Sequence, residues 1–374
     1  MPALLGLIIA AGEVPADSYN CFNTSGEGPL FSKKEAKELS NKWSVEQILE
    51  AARSFQVSRL ILSAAELDLF GLLGKEPRSS REVAQSFGLD LRATNIFLDA
   101  LAGLGLLEKG DLGYRVPENL GPILSGSSTE SVSPFLKHMG TLWKRWGALN
   151  EVLKTGMPLQ TGSWEQRSPQ EREAFIAAMH VIGRQMASEI INSISLERVK
   201  RILDVGGASG TYAIAFLEKS MDIRVTLLDL PSVIPLARKR LQEKGLLNRV
   251  DLVAADFEQD PLPQGHDMVF LSAIVHQNDR TQNRNLFAKA REALNQGGRI
   301  LIRDHVMDPS RTQPPAGALF AVNMLVSTRG GTTYTFQELQ EDLESAGFGQ
   351  VRWIRVGEKM DSLVEAIRMD DQAP

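Results

Sequence analysis

The stretch ILDVGGASGTYAIAF, residues 202–216, decides the fold of this chain. An apolar run containing Asp204 leads into a glycine-rich loop, and the segment after the loop is typical of a helix. Glycines at such a turn let backbone N–H groups approach a ligand closely at the N-terminus of a helix. The dinucleotide pattern G-x-G-x-x-G would begin at Gly206 and require two more glycines where Ala208 and Thr211 stand. A nicotinamide dinucleotide is therefore disfavoured.

Four more short apolar runs follow this stretch. They are RVTLLDL (224–230), VDLVAAD (250–256), DMVFLSAIV (267–275) and GRILIRD (298–304). Helical or loop segments separate them, and this alternation predicts a parallel, doubly wound α/β sheet of the Rossmann-like type, with helices on both faces. Ligands bind such sheets at the carboxyl ends of the strands. The residues just after each run are therefore the candidate site residues.

Acidic residues stand at two of these ends. Asp229 follows the second run, and a carboxylate there can accept hydrogen bonds from a ribose diol. Asp256 follows the third run, beside Phe257; the carboxylate can accept from an adenine amino group while the ring packs nearby. Together with the glycine loop, the two acids predict a site for a nucleoside-containing cofactor.

The N-terminal half has a different pattern. Helical periodicity runs from Trp43 to Leu73, a short helix follows Ser79 or Ser80, another helix is expected from Asp90 through Leu107, and EKGDLGYRV has a turn between two strand-like pieces. This order predicts a winged helix, a fold often used to bind DNA. The helix expected from Asp90, which would be the DNA-reading helix, has Arg92 as its only cation beside the acids Asp90 and Asp99. We therefore expect this domain to serve dimerisation or to line a pocket instead of binding DNA.

Composition excludes several classes of function. The 374 residues carry a net charge of -5, which gives no general attraction to nucleic acid or anionic lipid. A single cysteine, Cys21, allows no intrachain disulfide, and no Cys/His spacing suits zinc. The apolar opening MPALLGLIIAAG lacks the basic start of a secretory signal and is too short to span a bilayer. We expect a cytoplasmic protein without a metal site, a nucleic-acid partner or a membrane association.

Taken in order, DVGGASGTYAIAF, LLDLPSVIPLAR, ADF, LSAIVHQND and GGRILIRDHVMD resemble the S-adenosylmethionine-dependent O-methyltransferases of the caffeate and acetylserotonin type. The resemblance extends from about Trp43 to the C-terminus. It implies S-adenosylmethionine as cofactor and a homodimer formed through the winged-helix domain. By position, it also implies that Asp204, Gly206, Gly207 and their loop hold the methionine part, that Asp229 binds the ribose, and that Asp256 and Phe257 bind the adenine. We expect Leu230 and Ser272 to line the same site.

The same resemblance places His276 at the position of the family's catalytic base and Asp304 at that of the acid that orients it. A neutral hydroxyl is a poor nucleophile, and a base with a pKa near neutrality can remove its proton as the new bond forms. Two departures from the family pattern are Asn278, where an aromatic residue is usual, and Thr333, where a second acid is frequent. Three alternatives stay open: His276 has one carboxylate partner instead of two, another network of residues orients it, or the protein has lost methyl transfer.

For the acceptor, Phe175, Met179, Asn323 and Met324 resemble positions that line the family's pocket, and methionine suits flat ring systems. We therefore expect methylation of a hydroxyl on a small aromatic molecule, whose identity the sequence does not name. Two other functions stay open here. One is an S-adenosylmethionine-binding relative that performs hydroxylation or decarboxylation, and the other is a ligand-sensing winged-helix regulator.

The predicted organisation has four parts. Residues 1–42 form a poorly ordered leader and 43–130 a winged-helix-like dimerisation domain, while 131–198 form a helical linker and substrate-pocket cap. Residues 199–374 form the Rossmann-like catalytic domain that binds S-adenosylmethionine.

Overall fold

The computed structural model describes residues 43–126, 128, 130–159, 164 and 167–370. The predicted leader, 1–42, lies outside the described residues. Internal contacts divide the chain after Arg59 into two compact units. The predicted domain boundaries after residues 130 and 198 stay predictions.

In the first unit, helix α1 spans Val45–Arg53. Ser44 caps it by accepting the N–H of Gln47, and the Gln47 side chain accepts the N–H of Ser44 in return. Helix α1 buries none of its own residues. Helix α2, Phe55–Glu66, begins in this unit.

The second unit continues with the elements of the predicted winged helix. Helices α3 (Leu69–Leu73), α4 (Ser80–Phe87) and α5 (Leu91–Gly103) precede an antiparallel pair, β1 (Glu108–Gly110) and β2 (Gly113–Arg115). Ser79 and Asp90 cap α4 and α5. The expected extension of α5 through Leu107 is wrong. Gly105 adopts a φ of 74°, and Leu106 N–H bonds back to the Leu101 carbonyl, which closes the helix.

In the described part of the chain, four α-helices lie between the wing and the large sheet. They are α6 (Gly121–Leu124), α7 (Ser133–Trp146), α8 (Leu149–Thr155) and α9 (Pro169–Asn192). Ser168 accepts the N–H of Glu171 and so begins α9, with Pro169 at the first helical position, where its missing N–H costs nothing. Helices α7 and α9 pack together, and α9 carries two of the expected acceptor residues, Phe175 and Met179.

The C-terminal sheet has seven strands in the order β10-β11-β7-β6-β3-β4-β5. Their bounds are β3 Arg201–Val205, β4 Arg224–Asp229, β5 Val250–Ala254, β6 His266–Ser272, β7 Leu294–Asp304, β10 Phe348–Arg355 and β11 Ser362–Arg368. The first five are the strands expected from the apolar runs, and they are parallel. Strands β10 and β11 were not expected; they add an antiparallel hairpin beside β7.

Helices cover both faces of this sheet, as the doubly wound prediction requires. They are α10 (Thr211–Lys219), α11 (Ile234–Glu243), α12 (Arg280–Ala293) and α14 (Phe336–Ser345). Ile202 packs in one apolar core with Phe216, and its neighbour Leu203 packs in a second core with Phe287. Helix α13 (Pro315–Leu325) lies between the two-residue strands β8 (Val306–Met307) and β9 (Tyr334–Thr335), which pair in parallel.

The pairing register brings the predicted site residues to one edge. Val205 pairs with Leu228 on one side and Leu271 on the other, and Ser272 pairs with Arg303. The glycine loop, Asp229, the segment with His276, and Asp304 therefore all leave the sheet at its carboxyl edge. None of the helices in the described ranges is long and apolar enough to cross a bilayer. A cytoplasmic location stays a prediction.

Candidate active site

The glycine loop is pressed against the ends of two neighbouring segments. Gly206 has a φ of 68°, and a Cβ built there would lie 2.5 Å from Ile274 Cδ1 and 3.6 Å from the ring of Phe257. Any larger residue would therefore be strained and would push Ile274 away. The Gly206 N–H donates to the carbonyl of Leu228 at 2.8 Å. The loop thus joins the ends of β3, β4 and β6, and it brings Phe257 close, as expected.

Asp229 is held by the backbone of that loop. Its Oδ2 accepts the N–H of Ala208 at 2.8 Å, and its Oδ1 accepts the N–H of Leu230 at 2.7 Å. These bonds fix the carboxylate and leave each oxygen a lone pair for a ligand. Burial raises the pKa of Asp229 to about 6, against the lowering effect of the two N–H groups.

Asp204 is a buried carboxylate with an unsatisfied oxygen. It is 1% exposed, and its Oδ2 has no hydrogen-bond partner in the part of the chain that the structure describes. Burial, and then the charge of Asp229, raise the pKa of Asp204 to about 7. Gly207 lies against it, because a Cβ on Gly207 would come within 2.9 Å of Asp204 Oδ2. An orphaned acid beside a glycine cradle suits a ligand that carries hydrogen-bond donors or positive charge, so these residues fit the expected cofactor.

Asp256 lies in a turn that several hydrogen bonds hold in place. Its Oδ1 accepts the N–H of Glu258 at 2.9 Å, so it also caps the turn. The Lys289 ammonium donates to the carbonyls of Phe257, Glu258 and Asp260, which holds the segment after β5 in place. The bond to Glu258 uses Oδ1 of Asp256 and not Oδ2.

Ser272 has a partner of its own. Its Oγ accepts from Arg303 Nε at 2.7 Å, and the Arg303 guanidinium lies 5.0 Å from the centre of the Tyr212 ring. Sequence reasoning identified neither Arg303 nor Tyr212 as part of this edge.

His276 and Asp304 meet as expected. The Nδ1 of His276 lies 2.8 Å from Oδ1 and 3.0 Å from Oδ2 of Asp304, and the same carboxylate accepts the His276 backbone N–H at 3.3 Å. Because a carboxylate only accepts, Nδ1 carries the proton and Nε2 keeps its lone pair in the neutral ring. Burial alone would raise the pKa of Asp304, but His276, followed by Arg303 and the His305 N–H, holds it below its usual value.

The two departures from the family pattern, Asn278 and Thr333, form hydrogen bonds with residues other than His276. Asn278 is buried and donates through Nδ2 to Asn283 Oδ1 at 3.1 Å, and its carbonyl accepts from the Tyr334 hydroxyl. The Thr333 carbonyl accepts from Arg311. Within the described ranges, Asp304 is thus the one carboxylate that pairs with His276.

A glycine pair supports the histidine from the other side. A Cβ on Gly331 would come within 2.5 Å of the His276 carbonyl oxygen, so only glycine lets this loop approach the turn that holds His276. Asp279 caps α12 directly after that turn, by accepting the N–H of Gln282.

Sequence reasoning missed two aromatic neighbours of the histidine. The Phe320 ring meets His276 edge-on, with centroids 4.8 Å apart, and lies 5.0 Å from the ring of His305. His305 is 7% exposed, its Nδ1 has no partner within the described ranges, and burial lowers its pKa to about 4. The ring of His305 is therefore neutral at pH 7. A second histidine directly after Asp304 was the available sequence signal.

The expected acceptor residues fall into two groups. Asn323 Oδ1 accepts from Trp146 Nε1 at 3.1 Å, and Met324, its neighbour on α13, is buried. Phe175 packs edge-on against the rings of His138 and Trp164, at 5.1 and 5.6 Å. Trp164 donates to Ser232 just beyond β4, which places the Phe175 group beside the cofactor edge. Met179 is partly buried on α9, one turn after Phe175.

Comparison with known families gives two matches. A family model described as an O-methyltransferase domain matches residues 152–349, and one described as an O-methyltransferase dimerisation domain matches residues 49–118.

Two curated relatives come from Streptomyces. The 3-hydroxy-5-methyl-1-naphthoate 3-O-methyltransferase of Streptomyces sahachiroi is 33% identical, over 82% of this chain and 90% of the relative. The tetracenomycin polyketide synthesis 8-O-methyl transferase of Streptomyces glaucescens is 30% identical, over 82% of this chain and 91% of the relative. Among solved structures, human N-acetylserotonin methyltransferase in complex with S-adenosylmethionine is similar, with a TM-score of 0.74 and 25% identity over 88% of this chain and 99% of that one.

The raised pKa values predict a pH-dependent affinity for S-adenosylmethionine. In the free protein Asp204 and Asp229 hold protons below about 7 and about 6, and the protonated acids lose their attraction for a positively charged ligand. Binding must then release protons, so affinity should rise with pH through this window and level off above it. We expect up to about a tenfold change per pH unit for each acid.

Isothermal titration calorimetry between pH 5 and 8 measures this. Asp229→Asn should weaken binding and remove part of the slope, while Asp251→Asn, an exposed change on β5, should leave both unchanged. An affinity that is constant over this range would contradict the assignment of the two acids to the cofactor site.

Proposed function

Because the chain belongs to the O-methyltransferase family, it is an S-adenosylmethionine-dependent O-methyltransferase, and we propose that it methylates a hydroxyl group of a small aromatic molecule with His276 as the general base. The family resemblance, the cofactor and the fold class inferred from the sequence are thereby confirmed. The site residues, the acceptor and the homodimer remain proposals.

The observation that carries the proposal is the bond between His276 Nδ1 and Asp304. When bound, S-adenosylmethionine supplies an electrophilic methyl group on a sulfonium sulfur. His276 Nε2 accepts the proton of the acceptor hydroxyl as the oxygen becomes a nucleophile, and Asp304 stabilises the imidazolium that results. The edge of Phe320 packs on the imidazole and keeps its orientation. The proton afterwards passes to solvent.

For the cofactor, Gly206 and Gly207 provide the close approach, and Asp204 accepts from the methionine part. We assign Asp229 and its neighbour Leu230 to the ribose, and Asp256 with Phe257 to the adenine. Ser272 stands at the same edge through its bond to Arg303. Holding the cofactor and the acceptor in line is the second contribution of these residues to the rate.

An aromatic acceptor is supported by side chains on the cap and on α13, and by the relatives. Phe175, Met179 and Met324 supply apolar, polarizable surface, while Asn323 and Trp146 supply polar groups beside it. The two Streptomyces relatives are named for a hydroxynaphthoate and for a polyketide product. We therefore propose a ring hydroxyl of a polyketide-type molecule as the acceptor.

We also propose that the protein is a homodimer. The matched dimerisation domain begins at residue 49, within α1. Around α1, large apolar side chains face solvent in the single chain: Trp43, Val45, Ile48, Leu49 and Phe55. Such a contiguous exposed set is typical of an interface, and a second copy would bury it.

Replacing the base should stop the reaction without disturbing the cofactor. We expect His276→Ala to lower kcat between about 10² and 10⁴-fold, since general base catalysis contributes that much. Asp304→Asn should also lower kcat, because an amide no longer holds the Nδ1 proton and stabilises no imidazolium. Calorimetry should give nearly unchanged S-adenosylmethionine affinity for His276→Ala.

The assay follows product mass and S-adenosylhomocysteine together, with a panel of phenolic acceptors. Methyl transfer requires a product heavier by one methyl group and an equal amount of S-adenosylhomocysteine. A turnover that survives His276→Ala would remove the base assignment. Product formed without S-adenosylhomocysteine would point to hydroxylation or decarboxylation instead.

The dimer is tested by sedimentation velocity. Ile48→Glu places a charge in the proposed interface and should convert a species of twice 41.1 kDa into one of that mass. Met221→Glu, an equally drastic change at an exposed position of the catalytic domain, should leave the dimer intact. A wild-type protein that sediments as a monomer at micromolar concentration would contradict the proposal.

A further inference from the structure

His305 is a buried histidine whose ring forms no hydrogen bond in the part of the chain that the structure describes. It follows Asp304 directly, and its backbone N–H donates to Asp304 Oδ1 at 2.8 Å, the oxygen that also meets His276 Nδ1. The residue is 7% exposed, and its Nδ1 is buried without a partner in the described ranges. A ligand can therefore approach the ring only from the opposite edge, where Nε2 lies.

Phe320 lies between the two histidines. Its ring centre is 4.8 Å from that of His276 and 5.0 Å from that of His305. Gly317, one turn earlier on α13, lets the helix come close, because a Cβ there would lie 3.6 Å from the Cβ of His305. Asn323, one turn after Phe320, belongs to the residues that we assign to the acceptor. Both imidazoles thus border the same part of α13 as the proposed acceptor pocket.

The ring of His305 presents a neutral hydrogen-bond donor. Burial lowers its pKa to about 4; among the charged groups around it, Asp304 and Asp361 act to raise this pKa, and His276 and Arg303 act to lower it. A neutral imidazole has one N–H and one bare nitrogen. Because a buried N–H without an acceptor is costly, the proton belongs on Nε2 and not on Nδ1. His305 thus offers an N–H where His276 offers a lone pair.

Packing alone does not account for a histidine at this position. Any residue except proline could supply the backbone N–H to Asp304, and an apolar ring could pack on Phe320 equally well. Neither contact uses the ring nitrogens, which are costly to bury without partners. A ligand group that accepts a hydrogen bond from Nε2 does account for them.

We propose that His305 is a second acceptor-binding residue, which donates from Nε2 to an oxygen of the substrate other than the hydroxyl that is methylated. The proposal rests on the function proposed above and adds a specificity-determining residue to the same site. The ring system of the substrate lies along Phe320, and His276 takes the proton of one hydroxyl while His305 holds the second oxygen. The bond at the second oxygen selects which hydroxyl reaches His276, so His305 sets the position of methylation.

Binding to the full chain, saturated with S-adenosylhomocysteine, tests this role. The probes are dihydroxynaphthalenes and the matched methylnaphthols, in which a methyl group of similar size replaces one hydroxyl. The wild-type protein should bind the best diol about threefold to tenfold more tightly than its methylnaphthol, as one net hydrogen bond predicts. This preference should be equal at pH 6 and pH 8, because His305 is neutral at both. His305→Phe should remove most of it and leave the methylnaphthol affinity nearly unchanged.

Two further variants separate the hydrogen bond from packing. His305→Gln keeps a side-chain N–H donor and should keep part of the preference, while Arg198→Gln, at a surface arginine whose side chain is 92% exposed, should keep all of it. A wild-type protein without a preference for diols would overturn the proposal, as would an unaltered preference in His305→Phe. An equal loss of diol and methylnaphthol binding in both His305 variants would also overturn it, because that result assigns the residue to packing.

The position of methylation gives a second readout. With an unsymmetrical diol from the panel, such as 1,6-dihydroxynaphthalene, the wild-type protein should form mainly one monomethyl ether, and His305→Phe should form a mixture with a raised KM. The same product ratio in both proteins would contradict the role of His305. If no S-adenosylhomocysteine forms with any acceptor, the proposed function fails, and the binding preference decides the role of His305 independently.

Discussion

The site depends on the pairing of β6 with β7. Ser272 and Arg303 are paired in that register. The His276 turn, which follows β6, and Asp304, which ends β7, therefore lie at the same level of the sheet edge. The carboxylate then takes the Nδ1 proton of His276, and the other ring nitrogen is left with a lone pair. The edge-on Phe320 and the close approach of Gly331 to the His276 carbonyl pack around this turn and help to hold the hydrogen bond in place.

The cofactor edge has the opposite character, because it leaves polar groups unsatisfied. One oxygen of the buried Asp204 has no hydrogen-bond partner among the described residues. Burial raises the pKa of Asp204 to about 7 and that of Asp229 to about 6. A free protein that keeps such groups is less stable than one with apolar residues there. The cost is consistent with a site organised for a ligand that supplies hydrogen-bond donors and positive charge.

The sequence predicted the parallel core because each of its strands is a continuous apolar run between helical segments. It did not predict β11, whose run SLVEAIR contains Glu365 at a buried position. That carboxylate is tolerated because Arg299 and Arg352 pair with it, and those partners are distant in sequence. In the same way His276 and Asp304 could be inferred from motif position, whereas Phe320 could not, since its contact requires α13 to fold over the sheet edge.

The central claim is that Asp304 fixes the tautomer of His276. Nitrogen-15 NMR of the histidine side chains, recorded on the S-adenosylhomocysteine complex at pH 8 and assigned by comparison with His276→Ala, tests it most directly. The account predicts a protonated Nδ1 and a bare Nε2 for His276, with the Nδ1 proton shifted downfield by its bond to the carboxylate. A His276 that carries its proton on Nε2 would contradict it, because that nitrogen could then accept nothing from an acceptor hydroxyl.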